Sequence, residues 1–282
     1  MRATLPDMII ESDPTGTTPG RPAVPFRAHL DAVRAAADAL LTHATAAGLD
    51  AAVPTCPEWQ VANLVAHQGM VHRWTAACLR LDPTRVPSEA EILATVPRAD
   101  LLAWFAAGVA EMEAAFATAD PDVPALVFLD DAPPPRDFWA RRQAHETGMH
   151  AVDALAARLG RRPTADEADV PRDLAVDGLD ELLTGFVTRG RNGLCGEEEF
   201  RVAVVPDDGG PGGLAWLLDV RPEGIRTART TPDGARDADA TFRGTAAQLH
   251  LGLWNRGDHE VRVDGRTDLL DRWAERVQIT WG

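Results

Sequence analysis

From Pro25 to about Gly160 the apolar positions recur at helical spacing. Phe26, Leu30, Val33, Ala37, Leu40, Leu41 and Ala44 make one stripe, which predicts a first helix. A second is expected after Thr55, where Thr55 and Glu58 fit a capping box, and it runs to about Arg80. A third spans roughly 100–119, with Leu101, Phe105, Met112 and Phe116 facing inward. The run Pro133-Pro134-Pro135 punctuates the chain before a fourth helix, capped by Asp137 and ending at Arg158 or Gly160. Four such helices suit an antiparallel bundle, with connections long enough for an unusual helix order.

After Gly160-Arg161-Arg162-Pro163 the rhythm changes. One more helix is expected around Leu179 to Arg189. Strand-like runs follow at Arg201–Val205, Leu214–Val220, Ile225–Ala228 and Ala240–Arg243, and another at His259–Val263. Strong turn signals separate them, Pro206-Asp207-Asp208-Gly209-Gly210 and Pro232-Asp233-Gly234. Helices are expected at Ala246–Trp254 and Asp268–Val277. The pattern predicts an α+β protein of two domains: a leader over 1–22, a helical bundle over 23–165, a linker near 160–175 and a small α+β domain over 175–282.

Composition narrows the function classes. A formal charge of −15 argues against nucleic acid, which is bound through clustered basic side chains. There is no Lys, so apart from His every basic side chain is Arg. No apolar run reaches the length expected of a membrane span, and the N-terminus has no secretory pattern. Cys56, Cys78 and Cys195 are odd in number and widely spaced, which points to a reducing cytoplasm rather than a disulfide framework. A monomer or weak dimer is expected.

Chemistry concentrates on the second and fourth helices. His67 shares a helical column with Asn63, Val71, Trp74 and Cys78. Taken alone, such an imidazole reads as a hydrogen-bonded core histidine. Glu146 and His150, four residues apart, project from one face beside the apolar stripe Met149, Val152, Ala156 and Leu159, and can share one ion. The bland alternative is a surface pair. His145 points about 100° away from Glu146 and is the weaker ligand candidate. Two imidazoles and a carboxylate leave an open position on zinc, as catalytic sites do. Asp153 continues the Glu146–His150 column, where it could orient a ligand or equally be a solvent-facing charge. Arg141, Arg142, Arg243 and Arg256 are candidate clamps for a substrate carboxylate. Trp74, Trp104, Trp139 and Trp254 read as core or pocket walls. The glycines between 209 and 213 read as a hairpin connection, because the P-loop Lys and Ser/Thr are absent.

The run Val53-Pro54-Thr55-Cys56-Pro57-Glu58-Trp59, followed by Leu64-Val65-Ala66-His67, resembles the CPxW…LVAH signature of mycothiol-dependent maleylpyruvate isomerase-like proteins. His145-Glu146 with His150-Ala151-Val152-Asp153-Ala154 resembles their second signature, HExxxHxxDA. Residues 238–247 and Leu253-Trp254-Asn255-Arg256 are similar to the family's C-terminal domain. The resemblance implies a DinB-like four-helix bundle and a sterol-carrier-like C-terminal domain. It also implies a divalent metal, zinc first, held by His67, Glu146 and His150, with mycothiol as the thiol.

The expected chemistry is addition of that thiolate to an electrophilic small molecule, giving isomerisation of a maleylpyruvate-like compound or transfer of the sulfur. Arg243 and Arg256 are the expected catalytic clamps. Two alternatives stay open: a zinc hydrolase of a small molecule, and a non-catalytic module binding a metal or small ligand.

Overall fold

The computed structural model describes residues 19–279, except 83, 190–192, 197 and 211. Residues 1–18 of the expected leader lie outside the described residues. Arg21, within that leader, bonds the Asp131 side chain at 2.8 Å.

Helix α1 (Phe26–Ala47) carries the expected stripe and stops at Gly48, whose φ of 83° suits a residue without a Cβ. Helix α2 (Val61–Arg80) begins later than expected. Residues preceding prolines avoid helical geometry, and here Val53 and Cys56 precede Pro54 and Pro57. The stretch 53–59 closes into a loop instead, with Val53 N–H bonding the Trp59 carbonyl at 3.0 Å. Gln60 and Asn63, not Thr55 and Glu58, form the capping box. Helix α3 (Glu89–Thr95) was not expected, although Ser88 and Glu91 supply its capping box.

Helix α4 (Leu101–Thr118) buries Leu101, Phe105, Met112 and Phe116 as the spacing predicts. With the turn before it, Arg98–Thr118 does reach the length and apolar composition of a membrane span, contrary to expectation. Its apolar composition owes much to exposed alanines such as Ala103, Ala106 and Ala107. Helix α5 (Pro135–Leu159) has Pro135 in its first turn, so Asp137 sits inside that turn rather than at the cap. In the bundle α1 packs along α5, and α2 packs along α4.

A short helix, α6 (Ala165–Ala168), lies where a linker was expected, capped by Thr164 and Glu167. Helix α7 (Arg172–Asp180) starts after Pro171 and continues as a π-helical turn, Glu181–Phe186. A five-stranded sheet follows: β1 (Phe200–Pro206), β2 (Ala215–Arg221), β3 (Gly224–Thr230), β4 (Ala240–Gly244) and β5 (Arg262–Gly265), in the order β3-β2-β1-β4-β5. β1 runs antiparallel to β2 and parallel to β4, with Val204 opposite Trp216 and Phe242. The last strand starts later than expected because His259 adopts a left-handed φ of 51°, which an extended ladder cannot continue through. Helices α8 (Ala246–Leu253) and α9 (Asp268–Arg276) match the predicted spans closely.

The chain is thus an α+β protein with a helical N-terminal unit and a small mixed-sheet C-terminal unit. One apolar cluster runs from Met112, Phe116 and Trp139 through Leu179 and Leu182 to Val204, Trp216 and Phe242. That shared core fixes the C-terminal unit against α5, the helix that carries Glu146 and His150.

Candidate metal centre

Among the described residues, two groups of His and carboxylate donors lie within 4.8 Å of one another: His67, Glu146 and His150, and His29, His145 and Asp177. The first is the set expected from the sequence. His67 comes from α2, while Glu146 and His150 sit one turn apart on α5. Glu146 Oε1 lies 3.7 Å from His67 Nε2 and 3.4 Å from His150 Nε2. Oε1 is buried and makes no hydrogen bond. A tetrahedral zinc about 2.1 Å from each donor separates its ligands by about 3.4 Å, so these spacings fit an ion better than a direct hydrogen bond.

Each donor is aimed by a neighbour. Arg142 Nη2 bonds Glu146 Oε2 at 2.6 Å, turning the other oxygen toward the imidazoles, and Arg142 is held in turn by Glu181. Burial opposes ionisation of Glu146, but Arg142 and the two imidazoles hold its carboxyl well below the usual range. His150 Nδ1 donates to Asp153 Oδ2 at 2.9 Å. A carboxylate only accepts, so Nδ1 carries the proton and, in the neutral ring, Nε2 offers its lone pair. Burial alone would lower the His150 pKa; the bond to Asp153 and the nearby Glu146 carboxylate outweigh it and raise it to about 9. Glu89 of α3 approaches the second nitrogen of His67, at 3.9 Å from Nδ1, and accepts from Asn63 at 3.1 Å.

The loop 53–59 forms one wall. Trp59 stands against both imidazoles, with ring centroids 4.9 Å from His67 and 5.8 Å from His150. Cys56 bonds weakly to Asp153 Oδ2 at 3.7 Å. Burial and then the Asp153 charge push its thiol up to about 11, which keeps it protonated near neutral pH. The C-terminal unit contributes Arg256, whose Nε reaches Asp153 Oδ1 at 3.2 Å and whose Nη2 lies 3.5 Å from Cys56 Sγ.

The other candidates scatter. Arg243 pairs with Asp264 at 2.8 Å and lies 3.8 Å from Asp207, on the β4 side of the sheet. Arg141 is committed to Asp177 and Asp180. Trp139 is buried core, Trp74 packs edge-on against it, and Trp104 lies beneath the Arg73 guanidinium. Trp254 lies 5.9 Å from Arg142. Sequence reasoning passed over Trp59, Glu89 and Cys56 as neighbours of the centre. The first CPxW run did mark Trp59 and Cys56, but nothing local reveals that their loop folds over His67.

The fold and this centre define a class: a two-domain protein whose helical bundle gathers a His/Glu/His set and whose α+β unit packs beside it. A family model described as the mycothiol maleylpyruvate isomerase N-terminal domain matches residues 30–155, and the MDMPI C-terminal domain model matches 173–272. The chain belongs to the mycothiol-dependent maleylpyruvate isomerase-like family. Its structure is similar to crystal structures of the mycothiol-dependent maleylpyruvate isomerase and of a point mutant of it. The TM-scores are 0.57 and 0.58 at 15% identity, covering 86% of this chain and 93% of each of those. No curated protein matches the sequence.

Proposed function

We propose that the protein is a metal-dependent enzyme that adds the thiolate of mycothiol to an electrophilic small molecule, either isomerising a maleylpyruvate-like compound or transferring the sulfur. The observation that carries this reading is the donor geometry. Two imidazole nitrogens face one buried carboxylate oxygen at 3.4 and 3.7 Å, and that oxygen has no hydrogen bond. A divalent ion held by His67, Glu146 and His150, zinc first among them, supplies the positive charge that lowers a bound thiol's pKa.

The chain's own residues supply the rest. Arg142 keeps Glu146 ionised and aimed, and Asp153 keeps the Nδ1 proton of His150 away from the site. Trp59 shields the two imidazoles from water on one side. Cys56 stays protonated beside Asp153, so a sulfur nucleophile must come from a cosubstrate. Arg256 brings a guanidinium from the C-terminal unit to the edge of the centre, and of the two expected clamps it is the one we carry forward for a substrate carboxylate. In this division the bundle, 23–165, would hold the metal, and the unit over 175–282 would close the pocket. The family of the chain, and the mycothiol dependence in the titles of the similar structures, support the choice of thiol. Three cysteines, odd in number and widely spaced along the sequence, are in keeping with the cytoplasm.

Cobalt substitution tests the reading, because sulfur ligation gives a charge-transfer absorption that oxygen ligation lacks. Adding mycothiol to the cobalt protein is expected to produce that band, and His67→Ala to abolish it. Turnover of an electrophile at equal rate without thiol, and no band, would overturn the thiol reading in favour of a zinc hydrolase.

A further inference from the structure

The face of α2 that carries His67 continues along the helix. Met70, Trp74, Ala77, Cys78 and Leu81 lie with His67 inside an arc of about 100°. Along the axis Met70, Trp74 and Ala77 follow His67 at about 5, 10 and 15 Å. From Met70 outward these side chains floor an open groove of about 670 Å³. Val86, from the segment after α2, lines one side, and Pro124 to Leu126, from the segment after α4, line the other. Three residues beyond Val86 stands Glu89, 3.9 Å from His67 Nδ1. Floor and wall therefore both lead to the candidate metal centre.

The groove is apolar and open to solvent. Among the described residues two large hydrophobic side chains are exposed, Leu81 at 54% and Leu126 at 56%, and both border it. Single exposed leucines are ordinary, but two on one groove beside Met70 and Trp74 make a patch. Its polar members are engaged with neighbours. Arg85 gives both Nη atoms to Glu91, at 2.8 and 2.7 Å, and Asp82 accepts from the Thr84 N–H at 2.9 Å. Burial pushes the Cys78 thiol up, so it stays protonated near neutral pH. A compact anion would leave this surface wet and meet the Asp82 charge, whereas an uncharged apolar chain would cover it.

We propose that the groove is the outer part of the substrate site, and that the electrophile carries an uncharged alkyl or aryl arm. The arm lies along α2 from Met70 to Ala77 while the reacting head lies at the His67, Glu146 and His150 centre. The inference rests on the metal and thiol reading above, and within it selects an elongated apolar electrophile over a compact anionic one.

The test is calorimetric titration of the full-length, metal-loaded protein with acetohydroxamate, hexanohydroxamate and decanohydroxamate at neutral pH. The hydroxamate head takes the open metal position, and the tails sample the groove to increasing depth. Affinity is expected to rise about twofold per methylene, because an open groove covers only one side of the chain. Decanohydroxamate should then bind on the order of a hundredfold tighter than acetohydroxamate. Ala77→Glu and Leu126→Asp are each expected to weaken decanohydroxamate about tenfold or more, by setting a charge against the tail. Metal content and melting temperature, read on each variant, separate a blocked groove from a failed fold. Acetohydroxamate binding with no gain from the longer tails would overturn this proposal and leave the metal reading standing. No binding of any hydroxamate would overturn both. Equal decanohydroxamate affinity after metal removal would place the chain in a site apart from the centre and so overturn the proposal. A gain seen only after deletion of residues 1–18 would assign the groove to the chain's own N-terminal segment. A dimer dissolved by Leu81→Asp would assign it to a second copy, and either result overturns the substrate assignment.

Discussion

His67, Glu146 and His150 on one side of α5, and His29, His145 and Asp177 on the other, bring the same three donor groups together with opposite results. In the first set the carboxylate oxygen stands 3.4 and 3.7 Å from the imidazoles. In the second, Asp177 Oδ2 lies 3.0 Å from His29 Nε2 and 2.7 Å from His145 Nε2, and Arg141 Nε bonds it at 3.0 Å. Those are hydrogen-bond lengths, shorter than the spacing an ion imposes. The difference lies in where the arginine acts. Arg142 takes the far oxygen of Glu146 and leaves the near one open, whereas Arg141 binds the same oxygen that the imidazoles use. The first set keeps a buried oxygen open between two imidazoles, the feature on which the proposed metal site rests. The other is closed by protons already in the fold, and it ties α1, α5 and α7 together.

The comparison breaks first at the ligands. His150→Ala is expected to reduce metal content from near-stoichiometric to close to zero by elemental analysis, since a three-ligand site losing one ligand binds far more weakly. The Asp177→Asn change is expected to act on stability instead. Removing one partner from a buried ionic group costs about 3–5 kcal/mol, read by urea titration at neutral pH, with metal content unchanged. A loss below about 1 kcal/mol would show that the second set is not structural.

The acid limb of the same experiment has a definite sign. Burial works against ionisation of Asp177, but its bonds to His145, His29 and Arg141 prevail and hold the carboxyl well below the usual range. A depressed folded-state pKa contributes stability fully above the unfolded value of about 3.9, and that contribution is lost as pH falls toward the folded value. The stability difference between wild type and Asp177→Asn is therefore expected to narrow as pH drops below about 4. A constant difference down to the acid transition would contradict this assignment.

Smaller still is the effect expected of Asp153→Asn. The change removes the strongest acceptor for the His150 Nδ1 proton while keeping its shape, and metal affinity is expected to fall roughly 10–100-fold in a competition titration. Unaltered affinity would mean that His150 is oriented by its packing against Trp59 alone.

The two sets also differ in how readable they were. Glu146 and His150 share one helix at a spacing of four, so their common face follows from helical geometry. His67 needed the packing of a second helix, or the resemblance, to join them. Asp153 continues the same column of α5, but the sequence left it equally readable as a solvent-facing charge, and the structure places it on His150. The second set offers no such local sign: His29 and Asp177 are separated by 148 positions, and only the docking of α7 onto α1 and α5 brings them together. Strand positions were legible from alternation and turn residues, but the parallel pairing of β1 with β4 joins segments far apart in sequence. The α2 start was misplaced because a side-chain pattern outweighed the two prolines. By contrast α3 and α6 carried readable capping boxes, Ser88 with Glu91 and Thr164 with Glu167, in segments too short for a periodic stripe.

The central claim is that the ion belongs to one of these two chemically similar sets and not the other. Anomalous diffraction at the zinc edge, on crystals of the protein purified without chelator, tests it directly. The account predicts one strong peak bounded by His67 Nε2, Glu146 Oε1 and His150 Nε2, about 2.0–2.2 Å from each, and no peak at Asp177. A peak among His29, His145 and Asp177, or an ion held by other side chains, would contradict it.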